Sequence, residues 1–561
     1  MPIKFGDKSY STDEELQVVN LGFWPSVNIT NPKLREYFKN EFGRDFLGGD
    51  ELVAYAQTLV SRGMNFNDLG KDILQDINNP ENPNFKDVIF NKTSSGIGRG
   101  HSLGGLSGVV LGLHGTKMID SGLTGLCASR SLATSSRRRE TKDSEIVIPA
   151  SLGNKPDLLK EYMQISEDAL SSAEDFKTRF GKLGGVETFN KVIPYNNPAD
   201  LFIVLPLDTM ATLYSEVRAD RTNPNGRFLP KEVGQLVDKF REIAESVGQG
   251  TMFKQRVQVP RDTYLHYSVF KDPSSPNYAL EIGENREMST EPKVVRCHVD
   301  STMGFRESLD KIKRLIQETR NVQDPKELHG RALENMSALR EFVNEYNDAV
   351  SLSIADTLSW RVWSEQKRHA TLRQNVESVY SAADRAYRGL KPLWEGISKA
   401  AQTNNVEAIG KILPELDKHI IIDDRLKKSP ELLIPYVYHT ARQLMFYGKM
   451  IDKGFEQRDA LYITPKNIRV RTLEKYDLAN LVDLEFPLRL CSTCEPERKA
   501  SSWKKREAML GVIQELECLL QPKCNLGYCT EGKFCGRITD MRKYGQDLHQ
   551  ATKNVMLGRT A

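Results

Sequence analysis

Long apolar runs are missing from this sequence. Its most apolar stretches, such as Leu201 to Leu207, stop far short of the roughly 20 residues a membrane helix requires. No membrane span is expected. The start, MPIKFGDKSY, has no basic stretch leading into an apolar core, so no export signal is expected and a cytoplasmic location is. Excess charge is missing too. Lys and Arg number 78 against 75 Asp and Glu, a formal +3, which gives no field of the kind that draws in nucleic acid. Cysteine is sparse over most of the chain: Cys127 and Cys297 stand alone, and the other six of eight fall between Cys491 and Cys535. In a chain that is not exported, disulfides are not the expected reason, which leaves metal, redox chemistry or packing.

What is present is ordinary globular composition, with 39% hydrophobic and 27% charged residues. At 561 residues the chain exceeds what one core serves. A glycine-dense stretch, Ser94 to Gly115, lacks the third glycine of a dinucleotide-binding fingerprint and reads as close helix packing. Helical periodicity runs from Lys155 to Phe180 and from Lys231 to Val247, and a strand-like run covers Leu201–Leu207. Helical patches are expected at Asn31–Phe42 and Glu51–Arg62. Further helices are predicted over Glu307–Arg320, Arg331–Asn344, Val376–Arg388, Asn405–Leu416, Leu432–Lys453 and Ala500–Leu520.

The two halves echo one another. A helix, Gly185-Val186-Glu187 and then Ile193-Pro194-Tyr195-Asn196 face a helix, Gly454-Phe455-Glu456 and then Thr464-Pro465-Lys466-Asn467. Pro194 to Arg218 and Pro465 to Arg489 are both 24 residues. This spacing fits two copies of one unit.

Three segments carry chemistry. Ser131 to Glu140, SLATSSRRRE, offers hydroxyls and guanidiniums suited to a phosphate dianion, or a solvated basic loop. Trp360 to Gln374 sets Arg361, Lys367, Arg368, His369 and Arg373 among two tryptophans, a mix that can stack on a planar anion or form a charged helix face. The cysteine-rich end, with Cys491, Cys494, Cys524 and Cys529, could supply zinc thiolates. Its later spacings are not those of a zinc ribbon, so buried free thiols and no metal are preferred.

At that end the sequence resembles the flavin-dependent thymidylate synthases. Pro522-Lys-Cys524-Asn-Leu-Gly527-Tyr-Cys529-Thr-Glu531-Gly532-Lys533-Phe534-Cys535-Gly536 is similar to a tail that many members carry, one residue short. Phe486-Pro-Leu-Arg489-Leu-Cys491 resembles the helix whose arginine helps hold the nucleotide. The family signature is R-H-R, seven residues, then S-x-R. Arg368-His369-Ala370 and Ser378-Val-Tyr380 stand at that spacing, with two arginines replaced by Ala370 and Tyr380. Ser135-Ser136-Arg137 resembles the S-x-R end alone, and the glycine-dense GHSLGGLSGVVLG resembles a helix entry in long, tandem members.

The resemblance implies a helix-rich α+β fold of two tandem units, each a small sheet with several long helices. The boundaries implied are 1–94 for an N-terminal extension, 95–300 for the first unit and 301–561 for the second, with the cysteine-rich tail. It implies reductive methylation of dUMP to dTMP, with FAD as cofactor and methylenetetrahydrofolate and NADPH as co-substrates. Ser135, Arg137, Ser378, Arg489 and Arg218 would bind substrate, Arg368 and His369 the flavin, and the halves would share a cleft. The partner is a pyrimidine nucleotide, not nucleic acid or membrane, and the assembly a homo-oligomer, a dimer of two-unit chains. The alternatives are methylation or hydroxymethylation of another pyrimidine nucleotide, or a non-catalytic descendant that binds nucleotides or nucleic acid through the basic segment Arg498–Arg506 and the cysteine tail.

Overall fold

A computed structural model describes residues 2–24, 108–123, 130–133, 146–180, 189–246, 269–274, 290–300, 302–366 and 371–526, with isolated positions at 27–28, 32, 35–36, 39–40, 45–47 and 535. In chain order the main elements are strand β1 (Gln17–Trp24), β2 (Gly108–Thr116), helix α1 (Lys117–Leu123), β3 (Arg130–Ala133), α2 (Pro156–Phe180), β4 (Pro198–Pro206), α3 (Leu207–Thr222) and α4 (Lys231–Ser246). There follow β5 (Lys293–Val299), α5 (Met303–Arg320), α6 (Pro325–Tyr346), β6 (Val350–Ser359), α7 (Trp360–Gln366) and β7 (Arg373–Val376). The last are α8 (Val379–Leu390), α9 (Trp394–Thr403), α10 (Val406–Leu416), α11 (Pro430–Asp452), β8 (Arg469–Asp477) and α12 (Pro496–Leu510). The architecture is helix-rich with small sheets, an α+β arrangement. No helix among the described residues is long and apolar enough to cross a membrane.

Chain contacts divide the protein into two units, each built from two stretches. The first holds Met1–Ala279 and Glu377–Ile468; the second holds Leu280–Val376 and Arg469–Ala561.

The first unit carries an antiparallel sheet in the order β1-β2-β4-β3. Its inner strand β2 alternates Val109, Leu111 and Leu113 into the core, the two-residue period that makes a half-buried strand. Over residues 108–115 this corrects the helix-packing reading of the glycine-dense stretch, whose earlier residues lie outside the described ones. Gly115 is required for a different reason: a Cβ there would lie 2.7 Å from Glu232 Oε1 and 2.9 Å from Ile119 and Leu16. Helix α11 runs through the interior and buries residues on nearly all sides, from Leu432 and Val437 to Phe446 and Met450. Two inner strands of polypeptide cross beside it. Tyr195 N donates to Thr464 O at 3.2 Å and Asn196 N to Tyr462 O at 2.8 Å, with Pro194 opposite Pro465.

The second unit carries a sheet in the order β5-β6-β8-β7. Its core joins Leu352 and Ile354 of β6 to Phe305, Leu309, Ile312 and Ile316 of α5, spaced three and four apart along one helix face. Phe305 stacks on Phe342 of α6, ring centroids 5.4 Å apart.

The two sheets match strand for strand. In each, an edge strand pairs with a long strand that leads into a seven-residue helix and a four-residue strand. The ladder Thr116↔Pro198 to Gly108↔Pro206 has the register of Ser359↔Arg469 to Ser351↔Asp477. Both edge strands carry one extra residue, opposite Val110/Leu111 and opposite Ser353/Ile354.

Several elements end elsewhere than the periodicity predicts. The helix expected over Ala500–Leu520 spans Pro496–Leu510 and stops at Gly511; two short turns follow. Val376 ends a strand, and α8 starts only at Val379. The charged stretch Trp360–Gln374 is a helix to Gln366 and a strand from Arg373. The patch Glu51–Arg62 lies outside the described residues, as does most of Asn31–Phe42.

Candidate functional site

Arg489 sits at the end of a four-residue helix, Phe486–Arg489, in the second unit. Pro487, second in that turn, holds its own φ at a helical value, and Glu485 lies four residues before Arg489, so both side chains project on one side. Arg489 donates Nε to Glu485 Oε1 at 2.6 Å and Nη2 to Oε2 at 3.2 Å. This bidentate fork sets the plane of the guanidinium. Burial opposes the charge on Arg489, but the Glu485 carboxylate and the Cys494 thiol outweigh it and hold the group above its ordinary value.

Arg498 shares the Glu485 carboxylate, and Arg361 pairs with a second one, Glu495. Arg498 Nη2 is 3.8 Å from Glu485 Oε1, and Arg361 Nη1 is 3.8 Å from Glu495 Oε1. Glu495 also accepts from the Arg498 backbone N at 2.9 Å, capping α12. Arg361, Glu485, Glu495 and Arg498 are all buried. Burial pushes the Cys494 thiol up, against the pull of Arg498 and Arg489, so at neutral pH it is a neutral hydrogen-bonding partner. Cys494 N donates to Cys491 O at 3.1 Å, closing a turn beside Arg489.

Helix α12, which carries Arg498, also contributes to a second polar cluster. Lys505 of α12 reaches Glu474 Oε2 at 2.7 Å and Asp356 Oδ2 at 3.0 Å, all three buried. Tyr476 donates to Glu474 at 2.5 Å, Ser501 to Asp356 at 2.6 Å, and Gln366 Nε2 bonds the other Glu474 oxygen.

The remaining residues singled out by the sequence are placed as follows. Ser378 is fully buried in the first unit and donates Oγ to Lys271 O at 2.6 Å. Arg218 lies exposed on α3 of the first unit. Ser135, Arg137, Arg368, His369 and Cys529 lie outside the described residues. The flanks of 367–370 are described: Gln366 is held by Glu474, and Thr371 O accepts from Asn480 Nδ2 at 3.1 Å. Trp360 and Trp363 are both buried, so neither indole offers a face for stacking on a ligand. That overturns the stacking role expected of this segment. Tyr380, which stands where the signature has arginine, donates its hydroxyl to Phe228 O inside the first unit. Cys491, Cys494 and Cys524 are free thiols, and no group of three His, Cys, Asp or Glu able to hold a metal occurs among the described residues.

Sequence reasoning singled out Arg489, took Arg498 and Lys505 only as part of the basic segment Arg498–Arg506, and passed over Glu485, Asp356 and Glu474. Only Glu485 had a local signal, its four-residue spacing from Arg489. The others meet through β6, β8 and α12, which lie far apart in sequence.

No protein-family model matches the chain. Individual relatives do. The flavin-dependent thymidylate synthase of Pyrococcus horikoshii is 31% identical over 140 residues, 24% of this chain and 56% of that protein. That of Pyrococcus abyssi is 29% identical over 123 residues, covering 21% and 49%. That of Saccharolobus solfataricus is 28% identical over 125 residues, covering 22% and 46%. The chain spans about half the length of the curated relatives it matches. Over about a quarter of its length, this chain is similar to the flavin-dependent thymidylate synthases of these organisms.

Proposed function

We propose that the protein is a two-copy relative of the flavin-dependent thymidylate synthases that reductively methylates dUMP to dTMP, with FAD as cofactor and methylenetetrahydrofolate and NADPH as co-substrates. The observation that carries this reading is the fixed guanidinium of Arg489. Glu485 takes its Nε and Nη2, and Arg498 and Arg361 stand within the same buried group. A pre-oriented cation with neighbours of the same sign suits the phosphate of a nucleotide. Arg489 would bind substrate; Ser135, Arg137 and Ser378 are further substrate-binding positions in this reading, and Arg218 is the first copy's counterpart of Arg489.

The fit of a flavin rests on the cationic run Lys367-Arg368-His369, whose flanking residues Gln366 and Thr371 are tied to Glu474 and Asn480. Arg368 and His369 would hold the dinucleotide there. Bound FAD would carry the reducing equivalents and the carbon, which no side chain of the chain can do. The protein's own share is to hold phosphate and polarise the pyrimidine with cations.

Duplication is supported by the matching strand orders, registers and extra residues, and by side chains that repeat the same bonds. Tyr162 donates to Val147 O at 2.9 Å and Tyr436 to Ile421 O at 3.0 Å. Asn196 Nδ2 donates to Ser166 Oγ and Asn467 Nδ2 to Thr440 Oγ1, both at 2.8 Å. Thr116 N donates to Glu232 at 2.7 Å and Ser359 N to Glu497 at 2.7 Å, and each hydroxyl bonds the same carboxylate. The active assembly in this reading is a cytoplasmic dimer of two-copy chains.

A visible spectrum of purified protein, before and after dUMP and NADPH, tests the reading. Yellow protein that bleaches with NADPH and loses flavin in Arg368→Ala is the expected result. A colourless protein that contains stoichiometric zinc and shifts an oligonucleotide overturns it and favours a non-catalytic nucleic-acid binder.

A further inference from the structure

Arg489 and its first-unit counterpart Arg218 have different supports. Arg218 lies exposed on α3, an unbroken helix of 16 residues. Arg489 ends a helix of only 4 residues, too short to hold its own shape. The direction of its guanidinium therefore depends on what packs against that turn.

Two routes lead from the turn to the buried cluster of Asp356, Glu474 and Lys505. In the first, Phe486 meets the Tyr476 ring edge-on, centroids 5.8 Å apart and planes at 83°, and Tyr476 donates its hydroxyl to Glu474 at 2.5 Å. Burial, then Glu474 and more weakly Glu485, push that hydroxyl well above its ordinary value, so it stays a donor. In the second, Arg498 Nη2 stands 3.8 Å from Glu485, the carboxylate that grips Arg489. Lys505 follows Arg498 by seven residues, on the same face of α12. Lys505 bridges Glu474 and Asp356, and Ser501 bonds Asp356, so α12 is pinned against β6 and β8.

The matched registers show what the first unit has in these places. Asp356 lies three residues before Ser359, and Leu113 three before Thr116. Glu474 and Tyr476 lie five and seven after Arg469, and Ile203 and Leu205 five and seven after Pro198. The Thr116–Glu232 and Ser359–Glu497 bonds align α4 with α12, so Lys505, eight beyond Glu497, corresponds to Phe240, eight beyond Glu232. Leu113, Ile203, Leu205 and Phe240 are all buried and apolar. Hydrophobic replacements of buried ion pairs are commonly neutral or stabilising, so the shared framework does not call for the charges. The unit that keeps them is the one whose arginine is held by a carboxylate.

We propose that Asp356, Glu474 and Lys505 are positioning residues for Arg489, acting through Tyr476 and Phe486 on one route and Arg498 and Glu485 on the other, and so set its guanidinium for a phosphate monoester. The inference rests on the proposed function for the identity of that ligand, dUMP.

The test gives the second unit the first unit's residues, Asp356→Leu, Glu474→Ile and Lys505→Phe, in the full chain. Thermal midpoint, calorimetric titration with dUMP and with deoxyuridine, and hydrogen exchange of a peptide spanning 485–491 are read together. Deoxyuridine has no phosphate, so its affinity reports binding without the contact assigned to Arg489. The expected result is an unchanged or raised midpoint, about tenfold weaker dUMP, deoxyuridine within about twofold of the parent, and about tenfold faster exchange in that peptide. A folded triple variant that keeps dUMP affinity within about twofold, or that loses dUMP and deoxyuridine alike, overturns the proposal. Should the triple variant not fold, Tyr476→Phe removes only the hydroxyl that joins Glu474 to the Phe486 turn. It is expected to weaken dUMP about threefold and leave deoxyuridine unchanged, and dUMP affinity equal to the parent's overturns the proposal. If the parent binds neither dUMP nor inorganic phosphate, the proposed function fails. Exchange over 485–491 then decides alone: faster exchange in the variants upholds the positioning role, and equal rates overturn it.

Discussion

Arg442 donates Nη1 to Asp168 Oδ2 at 2.5 Å, and the two residues stand at corresponding places, each six beyond a tyrosine whose hydroxyl bonds a carbonyl fifteen residues back. Those tyrosines are Tyr162 on α2 and Tyr436 on α11. Like residues at these matched places would set like charges opposite each other. Opposite charges make the pairing of one helix with the other specific.

A charge-swap cycle reads this directly. Asp168→Arg should set two arginines together and Arg442→Asp two aspartates, each lowering the thermal midpoint. Because both side chains are partly exposed, the coupling is about 0.5–1 kcal/mol. The double swap should restore most of the loss. Equal additive losses in the double swap would show that the contact carries no coupling.

Asn196 and Asn467 should be among the costliest buried polar positions in the first unit. Asn196 Nδ2 serves both Tyr162 OH at 3.0 Å and Ser166 Oγ at 2.8 Å, while Asn467 serves Thr440. Truncation to Ala removes these bonds within a dry interior, a loss of about 1–3 kcal/mol each. Urea unfolding should show the larger loss for Asn196→Ala, which removes two side-chain hydrogen bonds rather than one.

Glu232 predicts a pH dependence with a definite sign. Burial raises its carboxyl from 4.5 to about 7, against the opposing bonds from Thr116 and Tyr462. The folded state thus holds a proton that the unfolded chain has already released. Its contribution is fully present below pH 4.5 and is lost as pH rises through about 7. Asp13, raised to about 6 mainly by burial, acts in the same direction over a lower window. Lys231 Nζ lies 3.4 Å from Asp13 Oδ2, 3.4 Å from Glu14 Oε1 and 3.3 Å from Asp459 Oδ1. Glu232→Gln should flatten the decline between pH 5 and 7.5, which denaturant midpoints across that range would reveal; an unchanged slope would exclude Glu232 as its source.

Glu485 should matter more for Arg489 than for the fold around it. Glu485→Ala leaves Arg489 and Arg498 without their shared carboxylate, and breaking such a buried pair costs about 3–5 kcal/mol. Glu485→Gln keeps an oxygen for Arg489 and should fold better. Its dUMP affinity should still fall, by roughly tenfold for one lost charged hydrogen bond. Calorimetric titration of dUMP into the two variants and the parent separates stability from binding.

Residue patterns reached the long elements because periodicity is local. The helices at Pro156–Phe180, Lys231–Ser246 and Met303–Arg320 begin and end within a few residues of the apolar pattern that predicts them. The 24-residue echo from Pro194 and Pro465 likewise picked out two segments that the structure sets side by side. Patterns failed where glycine or charge was read without its neighbours. Gly115 serves a close approach by Glu232, more than a hundred residues later, and the stretch it closes is a strand. Trp360 and Trp363 look like a stacking platform among basic residues until the fold buries both.

The sequence by itself determined the helix-rich composition, the candidate arginine on Phe486–Arg489 and the likeness to a flavin-dependent family, since each depends on residues close together in the chain. Only the tertiary structure decided that Asp356, Glu474 and Lys505 meet, and that Leu113, Ile203 and Phe240 fill the same places in the other sheet. Strand register and helix docking bring those residues together across more than a hundred positions, and a charge becomes costly or useful only once its neighbours exclude water.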